Sequence, residues 1–217
     1  MKIQNTNSKQ NFNAYHIATT KNYLKNIETP IEIYKLTNFD KDFIKHLHNK
    51  TDLKSLMPNL EESKLDIWRY IFQFASNQVT EQGKNGLMAV YNNKPCGLMA
   101  YTHKPSMKAM VNTICTWPSE VGKKVPYAGK TLFYMMFEDF LKTKNQMIDL
   151  DAITNGPFNP VTKYMQLGFK QRGGENGILA MRTRRENVIE TMKKLQEIIS
   201  IEEHSPAVEA DLFNILI

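Results

Sequence analysis

With 217 residues, 41% of them hydrophobic, the chain can bury one sizeable core, and its length favours one domain over two. Lys and Arg outnumber Asp and Glu by 28 to 22, a formal charge of +6 that suits an anionic ligand or partner without choosing one. No run of about five like charges forms a basic arm, so a solvated, lysine-rich surface is the plainer reading and nucleic-acid binding is not expected.

Residues 1–30 are polar and weakly periodic and read as a tail or an irregular cover. Residues 31–36 alternate as a half-buried strand does. Asp40 is a candidate cap for a short helix reaching His48, and Met57-Pro58-Asn59 breaks the chain. Between 61 and 79, Leu65, Trp68, Phe72 and Val79 recur at helical spacing, an amphipathic helix. Two apolar runs, 87–91 and 96–101, flank Asn92-Asn93-Lys94-Pro95 as an antiparallel hairpin, and 107–117 supplies a third strand. A loop over 119–130 leads into 131–141, which is apolar around most of its circumference and should be buried. A strand follows over 147–153. Asn159-Pro160 then starts a helix that Gly168 ends, and short strands flank a glycine-rich turn near 173–177. Val188, Met192, Leu195 and Ile199 make one apolar stripe, read as a C-terminal helix, and an apolar tail closes the chain. The two cysteines, Cys96 and Cys115, form no CxxC pair, and no segment has signal-peptide or membrane-span character. A cytoplasmic protein without a membrane partner is expected.

The strand–loop–helix over 107–141 is the most informative stretch. A helix start offers unpaired N–H groups and a partial positive charge, Gly129 leaves that backbone open, and Lys123, Lys124 and Lys130 add charge. Together they make a candidate phosphate site, against the plain alternative of solvated lysines in an ordinary turn. Gly122 with Gly129-Lys130-Thr131 has some likeness to a P-loop, and 147–151 to an acid-ended strand for magnesium. Six residues separate Gly122 from Gly129, however, more than the motif G-x-x-x-x-G-K leaves.

Residues 159–169, Asn-Pro-Val-Thr-Lys-Tyr-Met-Gln-Leu-Gly-Phe, carry a more specific pattern. This segment resembles the end of the acetyl-CoA-binding region of GCN5-related N-acetyltransferases (GNATs), where a helix ending in xxYxxLGF follows the fifth strand. Tyr164, Leu167, Gly168 and Phe169 hold those places at the same spacing. The hairpin with Lys94-Pro95-Cys96-Gly97 is similar to the start of that family's meander, and the resemblance covers residues 31–181. In the pyrophosphate loop, where the family reads Gln/Arg-x-x-Gly-x-Gly/Ala, this chain has Lys124-Val125-Pro126-Tyr127-Ala128-Gly129.

The resemblance implies an α+β fold with a mixed, mostly antiparallel central sheet flanked by helices. It divides the chain into a polar extension (1–30), an acyltransferase domain (31–183) and a C-terminal helix with an apolar tail (184–217). The implied activity is N-acyl transfer from acetyl-CoA to an amine by direct attack on the thioester. Pantetheine is expected between two parallel, splaying strands, bonded to backbone around Ile114, Cys115 and Thr116. Lys124, Val125, Tyr127, Ala128, Gly129, Lys130, Thr131 and Asn159 complete the expected acetyl-CoA contacts. Tyr164 is the implied general acid, with half-buried packing as the plain alternative, and Glu120 the candidate proton acceptor. Asp149 and Asp151 share one strand face, which suggests that the face meets a polar cleft. His103 reads as a base, an acceptor contact or a plain surface histidine. On the 61–79 helix, Tyr70 and Phe74 suit the acceptor better than Trp68 and Phe72, which core packing also explains. His46 and His48 are two apart and do not face one metal, so no metal is expected.

Two other readings stand beside this one: a non-catalytic acyl-CoA-binding or interaction module, and a P-loop-like kinase. The acceptor is open among antibiotics, polyamines, amino acids, aminoacyl-tRNA and protein amines. The apolar tail with Leu212, Phe213, Ile215, Leu216 and Ile217 is expected to seal the sheet or to make a homodimer.

Overall fold

The computed structural model of the chain describes residues 14–24, 27–156 and 158–203. Its strands are β1 (Tyr15–Leu24), β2 (Ile27–Leu36), β3 (Asn85–Tyr91), β4 (Lys94–Lys104), β5 (Lys108–Thr116), β6 (Met147–Ile153), β7 (Lys170–Glu175), β8 (Ile178–Arg184) and β9 (Ile199–Glu203). Its helices are α1 (Lys41–Lys50), α2 (Leu53–Leu56), α3 (Glu62–Gln78), α4 (Ala128–Leu141), α5 (Val161–Gln166) and α6 (Arg185–Gln196). All nine strands join one sheet in the order β7-β8-β6-β5-β4-β3-β2-β1-β9. Every pairing is antiparallel except β5 with β6. This is the mixed, mostly antiparallel α+β sheet that the sequence implies.

Two cores cover the two faces. On one face α4 buries Leu132, Phe133, Met136, Phe137 and Phe140 against Ile33, Met99, Ile148 and Leu150 of the sheet, and α6 adds Val188, Met192 and Leu195. On the other, α1 to α3 bury Phe43, Leu47, Leu53, Leu65 and Phe72 against Met88, Leu98, Cys115 and Trp117. Helix α4 is buried on most sides, as its composition dictates, and starts three residues before the expected Thr131. The β3–β4 hairpin turns at Asn92 and Asn93, both left-handed at φ 50° and 58°, the geometry that matches strand twist and that asparagine tolerates. No helix among the described residues is long and apolar enough to cross a membrane.

Three expectations are corrected. Residues 15–24 are no tail: β1 pairs with β2 along its length. Its buried face carries Thr20 and Asn22, invisible to a hydropathy count. Hydrogen bonds satisfy them, from Thr20 Oγ1 to Ile31 O (3.0 Å) and from Asn22 Nδ2 to Thr20 Oγ1 and Thr29 O (both 3.2 Å). The C-terminal stripe is not one helix, because α6 ends at Gln196 and Ile199 begins a strand that pairs with β1. Asp40 does not cap α1 through its side chain; its Oδ2 accepts from Thr37 N and Oγ1 at 2.7 and 2.8 Å, closing a capping box around the 3-10 turn before α1. The apolar tail and residues 1–13 lie outside the described residues.

Candidate active site

The parallel neighbours β5 and β6 pair only through Lys108, Ala109 and Met110 against Met147, Ile148 and Asp149. Beyond that point β5 stays with β4 and β6 stays with β8, so their facing edges part. The edge of β5 from Val111 onward therefore presents backbone groups with no strand partner on that side, and such groups seek one. The β4–β5 register skips Asn112, between Ala100 opposite Thr113 and Tyr101 opposite Val111. This bulge reverses the alternation: Val111 packs in the α4 core, whereas Cys115 and Trp117 pack in the α3 core. Ile114 is thereby returned to the α4 side. A cavity of about 770 Å³ fills the opening, walled by α3, β5, β6, the 124–127 loop and the starts of α4 and α5.

Helix α4 begins at that cavity without a side-chain cap. Thr131 N is bonded to Tyr127 O at 2.8 Å, leaving the earlier N–H groups of Ala128, Gly129 and Lys130 without that support. All three residues line the cavity. A Cβ built on Gly129 meets only Thr116 Cγ2, at 3.8 Å, so the space above this turn is open. Tyr127 sets the turn with a left-handed φ of 65°, an uncommon conformation for a bulky residue. Lys124, Lys130 and Lys163 also line the cavity. Lys124 Nζ lies 3.7 Å from the Phe158 ring centroid. Its pKa falls below the ordinary lysine value because it is partly buried and because Lys163 is near.

No family model matches the chain, and no curated protein matches it in sequence. Its fold does match solved structures. The PaiA N-acetyltransferase of Thermoplasma acidophilum, solved with coenzyme A, aligns over 71% of this chain and 98% of its own, at 18% identity and a TM-score of 0.50. An aminoglycoside 6′-acetyltransferase type Ii aligns over 70% of this chain and 96% of its own, at 14% identity and a TM-score of 0.51. This chain has the GNAT fold. In this chain the splayed pair, the uncapped start of α4 and the segment carrying Tyr164 and Leu167 meet at one cavity.

The segment from Tyr164 to Phe169 is first of all an anchor. Gly168 takes φ +83°, and a Cβ there would meet Thr191 Oγ1 at 2.9 Å, so both backbone and space require glycine. Leu167 and Phe169 are buried on either side of it, and Phe169 N bonds back to Tyr164 O at 3.0 Å. Asn159 Oδ1 accepts from Val161 N at 3.0 Å at the other end of this one-turn helix. So held, Tyr164 lays its ring against Phe133 (5.8 Å) and Phe169 (6.1 Å) and lines the cavity. Burial, with Cys115 nearby, pushes its hydroxyl up to about 12, so it keeps its proton at neutral pH. The hydroxyl has no hydrogen-bond partner among the described residues.

Most of the sequence-derived site meets here: Ile114, Thr116, Lys124, Val125, Tyr127, Ala128, Gly129, Lys130, Asn159 and Tyr164 all line the cavity. Two expected members, Thr131 and Glu120, do not. Cys115, expected to contribute its backbone, turns its side chain into the α3 core, where burial holds its thiol far above its usual value. Thr131 is fully buried and its hydroxyl donates to Asn22 Oδ1 at 3.3 Å. Glu120 lies outside the lining; its Oε2 accepts from Lys123 Nζ at 2.9 Å and its Oε1 is 3.9 Å from Lys94 Nζ, and these cations lower its pKa. A carboxylate so held is a poor proton acceptor. His103 is also elsewhere, 2.8 Å from Asp139 and 3.0 Å from Asn145.

The two β6 carboxylates separate. Asp149 forms a two-bond pair with Arg182, its opposite number on β8, with one bond of 2.6 Å from Arg182 Nη2. Asp151 is exposed, lines the cavity and has no ion-pair partner among the described residues. On α3, Tyr70 and Phe74 line the cavity as expected, together with Trp68. Phe72 does not; it packs on Trp117 with ring centroids 4.8 Å apart. The sequence reading missed Phe158 and Lys163, although both flank the Asn159-Pro160 helix start that it singled out.

Proposed function

We propose that this chain is an N-acyltransferase that moves an acetyl group from acetyl-CoA to an amine. The observation that carries the reading is the parallel β5–β6 pair opening after three residue pairs beside an uncapped helix start. The unpaired β5 edge suits the amide-bearing pantetheine arm as an added strand, and the α4 amides with Lys124 and Lys130 suit the phosphates. Tyr127 stands where the family's loop has glycine, but its φ of 65° supplies the backbone turn that glycine gives freely. That conformation supports a loop able to hold pyrophosphate over a degenerate one.

Chemistry at this site needs no covalent enzyme intermediate. The neutral amine's lone pair attacks the thioester carbonyl carbon, the carbon–sulfur bond breaks, and the thiolate takes a proton. Tyr164 is the proposed donor, because its hydroxyl is protonated at neutral pH and unengaged by the protein. The acetylated amine loses its extra proton to solvent, and Tyr164 recovers one, so the sum is amine plus acetyl-CoA giving amide plus free thiol.

Calorimetric titration with acetyl-CoA, followed by thiol release over a panel of amines, tests this directly. Acetyl-CoA should bind, and ATP with magnesium should not. Tyr164→Phe keeps the ring packing and should lower kcat by roughly 10²-fold with little change in acetyl-CoA affinity. Binding without thiol release, unchanged in Tyr164→Phe, would leave the non-catalytic module.

A further inference from the structure

We propose that the α3 side of the cavity selects a compact monoamine with an apolar, aromatic body, and that Asp151 is the counter-charge to its single ammonium. This rests on the acyltransferase reading and names its acceptor.

The first observation is the charge in the cavity lining, which contains three lysines, Lys124, Lys130 and Lys163, and one carboxylate, Asp151. Lys130 stands in the first turn of α4, assigned to phosphates, and Lys124 lies over the Phe158 ring with Lys163 near it. Asp151 alternates with Leu150 and Ala152, which pack in the α4 core, so it lies on the opposite sheet face, the one that α3 covers. Neighbouring carboxylates are engaged elsewhere, Asp149 by Arg182 and Glu120 by Lys123. A second ammonium entering this space would find no acid to pair with and three cations to repel it. Confining an unpaired charge is costly, which argues against polyamines and aminoglycosides.

The second observation is independent of charge. Ten large hydrophobic side chains are exposed among the described residues, and four of them, Tyr70, Phe74, Phe158 and Ile178, line this one cavity. Tyr70 and Phe74 stack at 6.4 Å between centroids, and Phe158 meets Trp68 edge-on at 5.6 Å. A rim of this kind gains by being covered with apolar surface. An aromatic body on the rim and an ammonium at Asp151 satisfy both observations with one molecule. The ammonium gives its proton to solvent before the neutral amine attacks, so the pairing acts in binding.

With acetyl-CoA saturating, kcat/KM is compared for 2-phenylethylamine, methylamine, spermidine and kanamycin. 2-Phenylethylamine should exceed each of the others by at least ~10-fold. Asp151→Asn should raise its KM by roughly 10-fold while leaving acetyl-CoA affinity and the melting temperature unchanged. Equal or better turnover of spermidine or kanamycin overturns the acceptor assignment and leaves acyl transfer standing. Preference for octanoyl-CoA over acetyl-CoA, with no gain of 2-phenylethylamine over methylamine, overturns it by giving the apolar rim to the acyl chain. An unchanged KM in Asp151→Asn removes the counter-charge. Acetyl-CoA bound but no amine acetylated overturns the assignment, and no acetyl-CoA binding at all sinks the functional reading with it.

Discussion

Gly129 occupies a helical position in the first turn of α4, with open space where a side chain would project. Alanine there should stabilise the free protein by about 0.5–1 kcal/mol, because glycine loses more backbone entropy in a helix. The same methyl group would stand over the amides assigned to the pyrophosphate and should weaken acetyl-CoA binding by at least ~10-fold. Thermal unfolding and calorimetric titration should thus move in opposite directions, and a parallel change in both would contradict the assignment. Lys124 makes a second residue-scale case. Burial and Lys163 hold its pKa below the ordinary lysine value, so it gives up its charge earlier than an exposed lysine as pH rises. Acetyl-CoA affinity should weaken on the alkaline side as Lys124 gives up its charge, and Lys124→Gln should bind more weakly throughout and lose that alkaline step. The residue scale is also where the sequence spoke most clearly. Leu167-Gly168-Phe169 is legible because its constraints are local, a left-handed glycine between two buried side chains within one turn of Tyr164. Asp149 and Asp151 read alike because the difference between them is made by Arg182, 33 residues further on.

At the scale of elements, the opening in the sheet depends on features without a composition signature. A single skipped residue, Asn112, re-aims the end of β5, and nothing in the 107–117 run announces it. The length of the β5–β6 pairing is equally hidden, since an apolar strand reads the same whether its edge is paired or free. At the closed end of the wedge, α4 is tied to β4 by polar contacts. Tyr101 Oη donates to Asp139 Oδ2 at 2.9 Å, and His103 Nε2 lies 2.8 Å from the same oxygen. With Asn145 Nδ2 donating to His103 Nδ1, the ring proton sits on Nε2 and points at Asp139. His103 is thus a structural brace, a role the sequence could not separate from catalysis because both partners are remote. The His103 hydrogen bond is the main cause that holds the Asp139 carboxyl below its usual range, with Tyr101 adding and burial opposing. A depressed folded pKa contributes stability above the unfolded value and loses it as pH falls through the folded one. Unfolding midpoints should therefore drop from about pH 4 downward. Asp139→Asn should flatten that acid slope without abolishing it, because Asp149, lowered by Arg182, acts in the same window.

For the whole molecule, the question is what the terminal strands contribute to a site that lies near the other side of the sheet. The solved GNAT structures align with about 70% of this chain and nearly all of their own, so the matched fold leaves part of this chain over. Among the described residues the first and last strands, β1 and β9, pair with each other, and a hydrogen bond from Thr131 Oγ1 to Asn22 Oδ1 links β1 to the start of α4. Asn22 is fully buried, and three hydrogen bonds join it to Thr20, Thr29 and Thr131. Its removal leaves buried polar partners unsatisfied, at about 1–3 kcal/mol. Asn22→Ala should consequently lower Tm by several degrees, at ~2–4 °C for each kcal/mol in a chain of this size. Thr131→Val removes only the link to α4, and the pair should be non-additive in a double-mutant cycle if β1 and α4 act through that contact. Additive losses would show instead that the β1–β2 hairpin and α4 are stabilised independently. In the coupled case, saturating acetyl-CoA should stabilise Thr131→Val by less than it stabilises the wild type, because a loosened helix start binds only through its ordered fraction, and thermal shifts with and without ligand will reveal it.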